Sequence, residues 1–351
     1  MKRLIFITMF CILWISSFSQ VIDLSEYNFN KPDPDFLCKV INKALDEGNN
    51  LNSNLSSVCF NMHGYDSKKK DNFWHEYILN CRIEIGEGQT LNVPTGMIIK
   101  LEGDGGFFLS GNGSIKGDNY TRSVIHNNTD APAIIFGGDY KSNVDDPHCN
   151  NCLVSDIKIQ GKADGILINE GSELNEVTSV FFQDLENGII NKGNCNQFND
   201  LAFFKVAASR DCKPQTDDGA AIKIVNSDGN TFTNINHTRS PGAVSLWLNG
   251  VCVGNKVLNL SVEQEQSHCG ALDPAIYVDR GRSSRLNYIV SNFNGAWFFI
   301  DEEADPDDAA ADINGPSDFE NRNIITPWRV DAIVDLSACG VASCGDSDDG
   351  K

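Results

Sequence analysis

The sequence predicts an all-β solenoid, a stack of short coils closed at its start by a capping helix, and three observations predict it. The first is a recurring apolar–x–polar–apolar tetrad at Val154–Ile157, Leu174–Val177, Phe198–Leu201, Phe232–Ile235, Val257–Leu260 and Leu286–Ile289. The second is an interleaved series in which a small residue leads into a short apolar strand. It includes Ala133-Ile134, Gly165-Ile166, Gly188-Ile189, Gly219 leading to Ile222, Gly242 leading to Val244, and Ala275-Ile276, at successive offsets of 32, 23, 31, 23 and 33 residues. Two interleaved series with periods of 20–50 residues are the mark of stacked repeats, each coil burying its apolar face against its neighbours. The third is a single helical pattern near the start. Pro34 suits a first helical position, Phe36, Leu37, Val40, Ile41, Ala44 and Leu45 share one face, and Gly48 suits the end.

Each segment follows in order. Met1-Lys2-Arg3, an apolar run from Leu4 to Ile15 and small residues before Gln20 read as a signal peptide over 1–19. That run is too short to span a bilayer, so the expectation is a secreted, periplasmic or cell-surface protein with no membrane span. Residues 20–124 hold the capping helix, a polar loop over 49–80, and the first strands at Ile83/Ile85, Leu91/Val93, Met97–Leu101 and Phe107–Leu109. Residues 125–300 hold the repeating coils, bent at glycine and asparagine, where positive φ costs least. Residues 301–351 read as an acidic loop, an apolar cover from Ile324 to Leu336 and a polar tail.

Composition narrows the partners. The chain of 351 residues carries a formal charge of −20 and lacks the basic stripe that phosphate binding requires, which excludes nucleic acid. Twelve cysteines fit an oxidising compartment. Cys195/Cys212 and Cys252/Cys269 share one spacing of 17 residues, and each joins a tetrad region to the insertion after it, as a staple would. Cys339/Cys344 reads as a local pair. Cys149-Asn-Asn-Cys152 has metal-ligand spacing without an answering Cys/His pair, so a disulfide is favoured over zinc. Asp346-Ser-Asp348-Asp349-Gly350 matches only the opening of a calcium loop, which leaves calcium open as a cofactor and linker as the default. Six Asn-x-Ser/Thr triplets, at Asn54, Asn112, Asn119, Asn127, Asn236 and Asn259, are either glycan acceptors or coincidences of an Asn-rich chain.

Asp33-Pro34-Asp35-Phe36 through Gly48 resembles the capping-helix segment of the pectate-lyase-like superfamily, and Val93-Pro94-Thr95-Gly96 with Leu101-Glu102-Gly103-Asp104-Gly105 resembles the strand–turn pattern after it. The resemblance covers about 33–300 and implies a right-handed parallel β-helix. It also implies a polysaccharide as partner, through an activity drawn from pectin and alginate lyases, glycoside hydrolases, epimerases or tail spikes. Fold alone does not choose among these.

Four constellations carry candidate chemistry. With Leu260 and Val262 inward, strand alternation turns Glu263 and Glu265 outward, roughly 6.6 Å apart. Carboxyls about 6.5–9.5 Å apart admit the water of inverting glycoside hydrolysis; the competing reading is a solvated acidic face. Asp217 or Asp218, in Thr216-Asp217-Asp218-Gly219, resembles a polygalacturonase stretch, but no Gly-His-Gly and no Arg-x-Lys accompany it, and a turn aspartate before glycine is the competing reading. His237, Arg239 and Lys205 supply a base and cations for β-elimination, although His237 takes the place of inward Val262, which favours burial. Arg280 and Arg282 suit carboxylate or sulfate groups, a charged turn neutralised by Asp279 being the competing reading; Trp247 and Tyr277, aligned with Lys223, suit sugar stacking in an outward column, with core aromatics as the competing reading.

The expected function is therefore an exported polysaccharide-active enzyme, a glycoside hydrolase or a polysaccharide lyase, acting on an anionic polymer. A non-catalytic glycan-binding or adhesive surface protein is the alternative.

Overall fold

The computed structural model describes residues 18–23, 33, 35–50, 56–61, 74–138, 148–207, 219–239, 243–250, 252–264, 274–279, 288–293, 297–300 and 324–326. Among these, 18–23, 47–50, 56–61, 239, 263–264 and everything from 274 onward are described by backbone position only. The chain forms a parallel β-solenoid whose strands lie on three faces.

Face 1 is a nine-stranded sheet: β4 (Arg82–Ile85), β7 (Gly106–Leu109), β10 (Ile134–Phe136), β12 (Ile166–Ile168), β14 (Ile189–Asn191), β16 (Ala220–Val225), β18 (Val244–Asn249), β20 (Pro274–Asp279) and β22 (Trp297–Ile300). Face 2 starts with β1 (Phe18–Asp23), β2 (Ser56–Asn61), β5 (Gln89–Val93) and β8 (Ser114–Gly117). Face 3 starts with β3 (His75–Leu79), β6 (Met97–Leu101) and β9 (Val124–Asn127). Above these coils one long strand serves both faces. β11 (Leu153–Gly161) pairs with β8 through its first half and with β9 through its second. β13 (Glu176–Gln183), β15 (Gln197–Phe204), β17 (Thr231–Arg239) and β19 (Lys256–Gln264) stack on it, followed by β21 (Tyr288–Phe293) and β23 (Ile324–Thr326).

A single residue turns the chain from face 2 to face 3. Asp156, Ser179, Asp200, Asn234 and Asn259 occupy equivalent places, all with φ between 54° and 58°. Asp and Asn tolerate this left-handed region because a short polar side chain offsets its steric cost. The outer amides link coil to coil, Asn259 Nδ2 donating to Asn234 Oδ1 (3.0 Å) and Asn234 Nδ2 to Asp200 Oδ1 (2.9 Å).

The tetrads of the sequence are these bends, with two corrections. Val154 pairs with Val177 and Val257 with Ile289, so the second and sixth tetrads begin three residues later than their apolar pattern suggests. Leu174 misled the pattern because it sits in a turn at φ 57°, half exposed, while the true bend of that coil is a serine.

Inside, the strands alternate buried and half-buried positions, as a period of two requires. Phe198 stacks on Phe232 with ring centroids 4.2 Å apart, and Phe182 on Phe203 at 4.8 Å. At the corner from face 1 to face 2 runs a buried asparagine ladder, Asn175, Asn196, Asn230 and Asn255. Each side-chain carbonyl in it accepts the backbone N–H of the coil below: Cys152 N to Asn175, Asn175 N to Asn196, Asn196 N to Asn230, and Asn230 N to Asn255, all at 2.9–3.1 Å. These corners need buried polar turns, and stacked amides satisfy them without water.

Helix α1 (Phe36–Asn50) closes the first coils, burying Leu37, Cys38, Ile41, Ala44 and Leu45. It runs past Gly48, and the stretch expected as loop over 49–80 contains β2 and β3. A Cys38–Cys81 disulfide ties the helix to the turn before β4. Cys149 and Cys152 are bonded to each other, as the missing second ligand pair suggested. Cys195 is disulfide-bonded, while Cys212, Cys269, Cys339 and Cys344 lie outside the described residues. Cys252 is buried, its Sγ 3.4 Å from Ile224 O. Asn127 of the six triplets is fully buried, its amide donating to Ala131 O and Asp164 O, so it plugs a corner instead of presenting a glycan acceptor.

Candidate functional site

The outward side of face 3 carries lysine, histidine, amide, hydroxyl and phenyl side chains on its described strands. Parallel register stacks identical strand positions about 4.8 Å apart, so one outward position per coil makes a column along the solenoid. One such column is Lys100, His126, Gln160, Gln183, Phe204 and Thr238, all partly buried, and by backbone register it continues to Glu263. Two strand positions away, a parallel column includes Glu76, Lys158, Phe181 and Asn236.

Charge is organised at its lower end. Lys100 Nζ lies 2.8 Å from Glu102 Oε1 and 3.5 Å from Glu76 Oε1. The hydrogen bond to Glu102 holds its ammonium above the usual lysine range. His126 is pushed the other way, below its ordinary value. Burial is the main cause, Glu76 opposes it, and Lys100 and Lys158 add to it. The neutral imidazole is thereby favoured. Lys158 is lowered by burial, with Asp184 opposing, and its Nζ lies 5.3 Å from the Phe181 ring centroid. His126 thus stacks between Lys100 and Gln160, with Lys158 on the adjacent strand, on a face that also presents two partly exposed phenyl rings, Phe181 and Phe204.

The sequence-derived candidates divide across this face. Glu263 takes the register position of Thr238. Arg239 ends β17, paired with Gln264. Lys205 follows Phe204 at the exposed edge, with Nζ 5.3 Å from that ring. Glu265, Asp217, Asp218, Arg280 and Arg282 lie outside the described residues, as does the tail weighed for calcium.

Two candidates need correction. His237 occupies an inward position between Phe203 and Val262; it is fully buried, set edge-on to Phe203, and its Nδ1 lies 2.8 Å from Ser245 Oγ. An interior imidazole cannot meet a polymer, so it holds no catalytic role. Trp247 aligns with Lys223 and Tyr277 as expected, but on face 1, and it is only 2% exposed. Lys223 Nζ sits 4.0 Å from its ring, so Trp247 is a packed cation–π partner and offers no sugar platform. Tyr277 is placed by its backbone alone.

A second cluster lies at the corner leading into face 1. Glu186 N donates to Ala163 O (3.3 Å), which puts Glu186 one coil above Asp164, and Asn187 Nδ2 donates to Asp164 Oδ1 (2.7 Å). Burial raises the carboxyl pKa of both residues; Asp164 raises Glu186 further, and Lys223 opposes on both. A carboxyl whose folded pKa exceeds its unfolded value adds stability that is complete below the unfolded pKa and fades as pH rises through the folded one. Asp164→Asn keeps an acceptor for Asn187. In paired denaturation curves it should remove part of the stability lost between acid and neutral pH. A wild-type pH dependence in the variant would remove Asp164 as its source.

Among the described residues, no group of three or more His, Cys, Asp and Glu is arranged to hold a metal, and no helix is long and apolar enough to cross a membrane. Compared with family models, curated proteins and solved structures, the chain matches none.

Proposed function

We propose that the chain is an exported, polysaccharide-active enzyme of the pectate-lyase-like, right-handed β-helix type, a glycoside hydrolase or a polysaccharide lyase, and that an anionic polymer lies across face 3. One observation carries this reading. A continuous outward strand face combines amides and hydroxyls for sugar hydroxyls, two partly exposed phenyl rings for sugar faces, and a histidine whose two neighbouring strands each carry an outward lysine. Export is supported by the signal-like start and by disulfides, which persist in oxidising compartments.

The test is incubation of the chain from Gln20 onward with uronic, sulfated and neutral polysaccharides, following reducing ends and ultraviolet-absorbing unsaturated ends together. Either product supports an enzyme. Binding without product supports the alternative, a glycan-binding surface protein, which the abundance of amides on face 3 (Gln160, Gln183, Asn236) favours. Neither binding nor product overturns both.

A further inference from the structure

We propose that export leaves Gln20 as the first residue of the mature chain, and that its α-amine closes onto its own side-chain amide to give a pyroglutamyl terminus. The inference rests on the export proposed above, and it fixes the cleavage point and the chemical form of the new end.

The leader ends Ser17-Phe18-Ser19, with small residues one and three places before Gln20, which suits cleavage of the Ser19–Gln20 bond. That bond lies inside β1. This strand stands at the end of its sheet and pairs in parallel with β2, from Phe18 opposite Ser56 to Asp23 opposite Asn61. Cleavage removes the first two of these pairs and leaves the four from Gln20–Val58 to Asp23–Asn61. The new terminus is thus the head of a paired strand.

Its register position is an apolar one. Coil by coil, the place of Gln20 passes to Val58, Leu91, Ile115, Val154 and Val177. Leu91, Ile115, Val154 and Val177 are fully buried, so this is an inward column of face 2. It continues from Phe198 to Ile325 with apolar residues throughout, which makes Gln20 its single polar member among the described strands. Helix α1 packs against β1 and β2 and closes this end. An α-ammonium at the head of such a column costs desolvation energy unless it is paired. Ring closure removes that charge and the primary amide together, and leaves a compact neutral lactam on the apolar rung.

The reaction balances within one residue. With an ordinary pKa of about 7.7–8.0, an α-amine is partly unprotonated near neutral pH. Its nitrogen forms a bond to the side-chain carbonyl carbon Cδ, and the bond from Cδ to the amide nitrogen Nε2 breaks. Ammonia leaves with the proton that the amine gives up, and no oxidant or second substrate is consumed. The terminus loses its charge, as acetylation would also achieve, but keeps one N–H donor in the ring.

The experiment expresses the full chain from Met1 in a secreting host, quenches the exported protein cold at harvest, and reads its first peptide by mass spectrometry. Expected is a peptide that starts at residue 20 and is lighter than its sequence by one ammonia. It should resist an aminopeptidase until pyroglutamyl peptidase removes the ring and exposes Val21. Gln20→Ala should be cleaved at the same bond and show a free, digestible amine. An exported chain that starts at Gln20 with its amine free overturns the ring and spares export. An exported chain that starts elsewhere overturns the cleavage point, again sparing export. A chain that keeps Met1–Ser19 and stays inside the cell overturns both.

Discussion

Asn196→Ala should lower unfolding stability by about 3–5 kcal/mol, the summed cost of several buried polar groups left unpaired. Asn196 accepts from both Asn175 N and Asn175 Nδ2, at 2.9 and 3.0 Å, and donates to Ser172 O and Asn191 Oδ1, at 3.2 and 3.1 Å. Alanine removes one partner from each bond, and the corner is closed to water, Asn175 and Asn196 each being 1% exposed. Cooperativity within the ladder adds to this, since each amide polarises the next. Guanidinium denaturation of the variant, with Asn236→Ala as an exposed control, measures the effect. A loss no larger than the control's would mean that the ladder is incidental to stability.

Phe198→Ala is the second large effect, again about 3–5 kcal/mol, from lost transfer energy plus an unfilled cavity. Phe198 is fully buried between Val177 and Phe232, and its ring lies nearly parallel to that of Phe232, with an interplanar angle of 3°. A solenoid coil contacts mainly its neighbours, so the damage should be local. Amide exchange should accelerate in β13, β15 and β17 and change little in β4 and β7. Uniform acceleration would show a single cooperative unit in place of nearest-neighbour coupling.

The scaffold was legible because its regularities are local in sequence. Positive-φ bends select Asp and Asn, inward positions select Ile, Val, Leu and Phe, and both recur at coil spacing. Where chemistry broke the pattern, as at the bend serine Ser179, the register slipped. The interior role of His237 was legible too, from its alignment with Val262, and the fold decided it. The His126 site was not visible because its members come from β3, β6, β9 and β11, strands before or at the edge of the detectable repeat. Glu76, Lys100, His126 and Lys158 are separated by irregular intervals, and only strand pairing stacks them. Cys38–Cys81 escaped for the same reason, its halves lying in a helix and a turn that share no period.

The one-residue bend between faces 2 and 3 has a consequence for the margin that the two faces share. From β11 to β19 no connecting segment stands on that side of face 3, and its margin is a row of short side chains such as Asp200, Asn234 and Asn259. Among the described residues, this margin of face 3 is therefore open, bordered by side chains no longer than an asparagine's. Under the proposed polysaccharide activity, a long polymer would cross this margin by its flank.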